Sequence, residues 1–190
     1  MKRLMIMVKS HRLLTLGALG LLVAAGSVAV YSGASFNFKT ANPSNIFTAG
    51  ILSHSNTKVG TAIVTATGME PGLSQNGQVV IKNTGNVAGT FTVNKSAVVD
   101  VAGANGGLLS GVLTVIVSDI TVPATPVIKY TGTLTAMTNV ALGTFAANET
   151  HTYKITLALP DGGVPATNTT GDNVYQGSSM TCTLDWTSVQ

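Results

Sequence analysis

The sequence predicts an all-β protein: a single two-sheet sandwich of jelly-roll or Greek-key type, preceded by a signal peptide and an extended N-terminal strand. Three observations predict it. Apolar and polar residues alternate with period two in run after run beyond residue 35. Turn formers punctuate the runs at Pro71-Gly72, Asn76-Gly77, Asn83-Thr-Gly85-Asn86, Asn105-Gly106-Gly107 and Asp161-Gly162-Gly163. No stretch after residue 35 carries the 3.6-residue apolar period of an amphipathic helix.

Residues 1–34 read as the signal peptide. Lys2-Arg3, Lys9 and Arg12 form a basic head, and the apolar run Leu13 to Val30 follows. Ser32 and Ala34 are the small residues that signal peptidase reads, so cleavage is expected between Ala34 and Ser35. A run of roughly 18 residues is also long enough to stay in a bilayer as an anchor. Gly17, Gly20, Gly26 and several alanines favour the cleavable reading. A lipoprotein needs a cysteine at the cut, and the one cysteine is Cys182. A pilin-type helix usually carries a glutamate near its start, and no acidic residue precedes Glu70.

Residues 35–45 read as an extended strand. Ser35-Phe36-Asn37-Phe38-Lys39 alternates, which puts Phe36 and Phe38 on one face. Pro43 separates this piece from a strand expected to begin near Ile46, where the sandwich domain 46–190 starts. Further strands are expected at Val59–Thr65, Gln78–Lys82, Thr90–Asn94, Leu113–Val117, Val127–Thr133, His151–Leu159 and Thr181–Thr187. Thr and Val dominate them, and both suit a pleated surface. Tyr153, Ile155, Leu157 and Leu159 share an inward face, as do Cys182, Leu184 and Trp186. Leu113, Val115 and Val117 lie in a more continuously apolar run, as a central strand would. Ala97–Gly107 is expected to include a short helical turn.

Composition limits the function classes. Removing 1–34 turns a net charge of +3 into −1, because the remaining chain keeps six lysines, no arginine and seven acids. A nucleic-acid role lacks its electrostatic footprint. Membrane contact is expected only through the leader before it is cut. The polar but nearly uncharged surface offers little repulsion against self-association. One cysteine in a secreted chain leaves no internal disulfide.

Three segments line up with a known family. They are Ser35-Phe36 followed by Asn45-Ile-Phe47-Thr-Ala49-Gly50-Ile-Leu52; Met69-Glu70-Pro71-Gly72 leading into Gln78–Lys82 and Asn83-Thr-Gly85-Asn86-Val-Ala88-Gly89-Thr; and Asp172-Asn173-Val-Tyr175-Gln176-Gly177 leading into Trp186-Thr-Ser-Val-Gln190. Together they resemble the TasA/camelysin family of secreted bacterial proteins, over nearly the whole chain. The resemblance implies a non-enzymatic jelly-roll subunit of extracellular, biofilm-matrix fibres. Each subunit donates its freed N-terminal strand, Ser35, Phe36, Asn37, Phe38 and Lys39, to the next, in a head-to-tail homopolymer that accessory matrix proteins could join. The physics is general: an open sheet edge invites a strand from another chain, and a head-to-tail contact that does not close gives a filament.

Two other classes stay open: a camelysin-like secreted metallo-endopeptidase and a monomeric cell-surface adhesion or binding module. The metal candidates are His54, Glu149 and His151, with no His-Glu-x-x-His motif among them. Asp161 and Asp172 offer oxygen ligands for calcium but lack the spacing of a calcium loop. No cofactor is expected, calcium being the alternative. Cys182 is expected to be a buried, inert thiol. Trp186 and Tyr175 are expected to serve packing rather than a sugar platform.

Overall fold

In the computed structural model, residues 15–19, 21, 44, 46, 48–162, 167 and 169–190 are described. The chain divides into two units, Met1–Phe47 and Thr48–Gln190, and the described strands all belong to the second. Among the described residues no helix is long and apolar enough to cross a membrane.

Two antiparallel sheets face each other. The larger has β1 (His54–Asn56), β2 (Ser74–Asn83), β7 (Thr150–Ala158), β4 (Thr114–Asp119) and β5 (Val127–Thr133), in that spatial order. The smaller has β6 (Val140–Phe145), β3 (Gly89–Val101) and β8 (Ser179–Val189), with β3 in the middle. The chain changes sheet between β2 and β3, between β3 and β4, and at each step from β5 to β8. Strands from distant parts of the sequence therefore lie side by side, as in the pairs β2–β7 and β3–β8.

The core follows from alternation. Tyr153 and Ile155 of β7 are buried, flanked by Val79 and Ile81 of β2 and by Val115 and Val117 of β4. Phe91 and Val93 of β3 and Val140, Leu142 and Phe145 of β6 meet them from the other sheet. β4 lies inside its sheet, between β7 and β5, as its apolar run implies.

The structure departs from the sequence pattern at five places. Val59–Thr65 alternates but forms turns and bends. Ile63 and Val64 pack against the core, with no ladder partner for their backbone. Asn76-Gly77 is not a turn; it lies inside β2. There the Ile63 carbonyl comes so close that a Cβ on Gly77 would stand 1.8 Å from it, so the glycine serves close approach, not chain reversal. Ala97–Val101 continues β3 as a bulge, with Ala97 at φ 47° and the β8 register skipping between Ser96 and Val99. The helical turn comes later, as a 3-10 turn at Leu109–Gly111. β6 has no clean period in sequence, because Gly143 at φ 115° and a register shift interrupt it. No strand begins at Ile46; the first among the described residues begins at His54.

Candidate functional site

Where the chain joins the body, two of the singled-out motifs meet. Thr84 and Asn86 donate backbone N–H groups to the Ser53 and Ile51 carbonyls at 2.9 Å each, and Asn86 Oδ1 accepts from Ile51 N at 2.7 Å. A Cβ on Gly50 would strike Val87, and one on Gly89 would strike Leu52. Ala49-Gly50-Ile-Leu52 is thus seated on the Asn83–Gly89 turn. Asn83 holds that turn from beneath. It is fully buried; its amide donates to the Val87, Phe145 and Ala146 carbonyls, and its Oδ1 accepts from Gly85 N.

The titratable groups gather nearby, at the end of the inner face. His151 Nδ1 is 2.8 Å from Asp119 Oδ2, and its Nε2 is 2.9 Å from Glu149 Oε1. A neutral imidazole has one N–H, so both contacts are hydrogen bonds only in the doubly protonated ring. Thr121 adds its hydroxyl and its backbone N–H to Asp119 Oδ1. Burial by itself would raise the Asp119 carboxyl. The hydrogen bonds from Thr121 and His151 outweigh it and hold the group below its ordinary value. Glu149 is also held low, first by the Ala146 backbone N–H and then by His151. Both ring nitrogens are engaged by acids, which leaves neither free as a base for the Thr121 hydroxyl 3.3 Å away.

Of the expected metal candidates, Glu149 and His151 are brought into direct contact, at 2.9 Å. His54 bonds Ser188 Oγ at 2.9 Å and touches Phe91 edge-on at 5.7 Å. Asp119, which sequence reading passed over, takes the third place in the cluster. A signal was available: Asp119 continues the inward parity of Val115 and Val117. Asp172 accepts from Gly162 N at 3.1 and 3.2 Å and closes its own loop. Asp161 stands next to Gly162, whose backbone N–H donates to Asp172. Among the described residues no group of three His, Cys, Asp or Glu side chains is placed to hold a metal ion. The cleavage pair Ala34/Ser35, the strand Ser35–Lys39, and Pro43 lie outside the described residues.

A row of rings crosses the core from this end. Phe91 stacks on Phe145 at 4.1 Å, Phe145 on His151 at 4.2 Å, and Tyr153 lies 5.5 Å from Trp186. The Tyr153 hydroxyl, pushed up first by burial, and the Trp186 indole N–H are buried with no partner among the described residues.

The other feature is an edge. Among the described residues β8, eleven residues long, has one hydrogen-bonded neighbour, β3. Two adjoining hollows of about 460 and 710 Å³ run along it, between β8 and the irregular run Lys58–Met69. Cys182 lines both; it is half-buried, and burial pushes its thiol up.

The fold and this edge define a class: an all-β, two-sheet antiparallel sandwich with an open groove beside a long edge strand. No protein-family model matches the chain, and no curated protein matches it significantly.

Proposed function

We propose that the chain is a structural subunit of extracellular, biofilm-matrix fibres, polymerising by donation of the strand Ser35–Lys39 to another copy after cleavage behind Ala34. The finer reading of the sandwich as a jelly roll belongs to this proposal, as does the leader's role as a signal peptide. One observation carries it: among the described residues β8 is a long edge strand with a single neighbour and a groove beside it. Such an edge presents a row of unpaired N–H and C=O groups, and natural sandwiches usually shorten, charge or cover it. β8 is neither short nor strongly charged; Asp185 is its one ionised side chain. The resemblance to the TasA/camelysin family supplies the strand that such an edge would accept. The docking of Ala49–Leu52 on the Asn83–Gly89 turn adds support, because two of the motifs that carry the resemblance meet there.

The test compares protein beginning at Ser35 with protein beginning at Ala41 by electron microscopy. Filaments are expected from the first and monomers from the second. Filaments from the shortened chain would overturn strand donation. A Ser35 chain that stays monomeric at every concentration on size exclusion would favour a binding module instead.

A further inference from the structure

We infer that the β4–β5 hairpin is a membrane-contact site: its tip, Val122 to Ile128, enters the surface of an anionic lipid bilayer, with Lys129, Lys154 and Lys82 against the headgroups. The inference does not rest on the fibre reading, and the contact is separate from any made by residues 1–34. Residues 121–128 are all exposed, and six of those eight are apolar: Val122, Pro123, Ala124, Pro126, Val127 and Ile128. Val122, Val127 and Ile128 are 59%, 53% and 62% exposed, so their branched side chains stand in solvent rather than over the core. Single apolar residues are ordinary on a surface, but two apolar triplets at one tip are not. A hairpin that only reverses the chain is better made from Gly, Asn or Asp, and none of these stands between Ile120 and Ile128.

The base of the hairpin is fixed. Ile120 N–H donates to the Thr152 carbonyl at 2.8 Å, and Thr152 N–H donates to the Thr121 hydroxyl at 3.0 Å. Thr121 in turn donates its backbone N–H and its hydroxyl to Asp119, which His151 also holds. Thr125 N–H closes the turn on the Val122 carbonyl at 3.0 Å. The acid–histidine cluster is thus the footing of the hairpin. A tip held on such a stem has little conformational freedom left to lose on binding.

Charge selects the kind of bilayer. Lys129 follows Ile128 directly, as the extra residue of the β4–β5 bulge, since Val117 pairs with Tyr130 and Ser118 with Ile128. Lys154 pairs with Ser118 from the next strand, and Lys82 pairs with Thr150 at the same end of the sheet. Among the described residues none of these three lysines makes an ion pair, whereas the acids at this end, Asp119 and Glu149, are both engaged by His151. An apolar tip backed by unpaired lysines fits a surface with an acyl interior and negative headgroups.

The test uses protein beginning at Ser35, which lacks the apolar run Leu13 to Val30 and keeps every described strand. It is floated on phosphatidylcholine vesicles with and without phosphatidylglycerol. Flotation is expected to be about tenfold greater with phosphatidylglycerol and to fall as salt is raised. Val122→Asp with Ile128→Asp should reduce it about tenfold and leave the unfolding midpoint unchanged. A second measurement keeps the tip nearly native. An environment-sensitive dye on Ala124→Cys, in a Cys182→Ser background, should shift to the blue when phosphatidylglycerol vesicles are added. The same dye on Ala136→Cys, exposed beyond the Thr133 end of β5, should not. No flotation on either vesicle would overturn the inference, and equal flotation on both would overturn its anionic lipid. Equal shifts at Ala124→Cys and Ala136→Cys would overturn the hairpin as the contact. A shift at Ala124→Cys that grows with protein concentration, without vesicles, would assign the tip to a second copy and overturn the lipid reading.

Discussion

At His151 one imidazole serves two acids of unequal worth. The Asp119 carboxylate is mostly buried, with 11% of its side chain exposed, whereas Glu149 is 40% exposed and screened by solvent. Asp119→Asn is therefore expected to destabilise the fold by about 1–3 kcal/mol and Glu149→Gln by less than about 1 kcal/mol, read from urea unfolding. Acid dependence follows from the same pair. Both carboxyls titrate lower folded than unfolded, so the unfolded chain binds more protons as the solution is acidified. Their contribution is complete above the ordinary values of 3.8 and 4.5 and is lost as pH falls through the lower folded values. Wild-type stability should thus fall below about pH 4.5, and Asp119→Asn should fall less steeply over the same range. Asn83 is the other residue of consequence. Asn83→Ala removes the donor for three carbonyls and the acceptor for Gly85 N, and should cost about 2–4 kcal/mol.

At the scale of elements, β2 and the run Lys58–Met69 are coupled through Gly77. A Cβ there meets the Ile63 backbone, which cannot swing aside as a side chain can. Gly77→Ala should cost about 1–3 kcal/mol and loosen the 58–69 run, seen as faster amide exchange at residues 62–64. Gly111→Ala, facing open space, is the matched control and should be nearly neutral. β7 could be read from sequence almost to the residue, since its alternation is regular and both neighbours bury the same face. β6 and the bulged half of β3 could not, because positive-φ residues and register shifts break the period on which such reading depends.

At the scale of the molecule, assembly and stability separate. Phe36→Asp with Phe38→Asp should abolish filaments, checked by electron microscopy, and leave the unfolding midpoint of the monomeric body unchanged, because the buried core cluster among the described residues begins at Val79, with Ile63 and Val64 packed against it. Phe91→Ala should do the opposite in kind. It removes a buried ring stacked on Phe145 and should lower stability by about 3–5 kcal/mol.

By itself the sequence determined the all-β class, the inward residues of β4, β7 and β8, and the turns at Pro71-Gly72, Asn83–Asn86 and Asn105–Gly107. These depend on local alternation and on backbone conformations that a few residue types favour. Only the tertiary structure decided which strands are neighbours, which is why Asp119 rather than His54 joins His151 and why β8 stands at an edge. Pairing is set by burial shared between segments far apart in the chain, as β3 and β8 are, and period two is the same for an edge strand as for a central one.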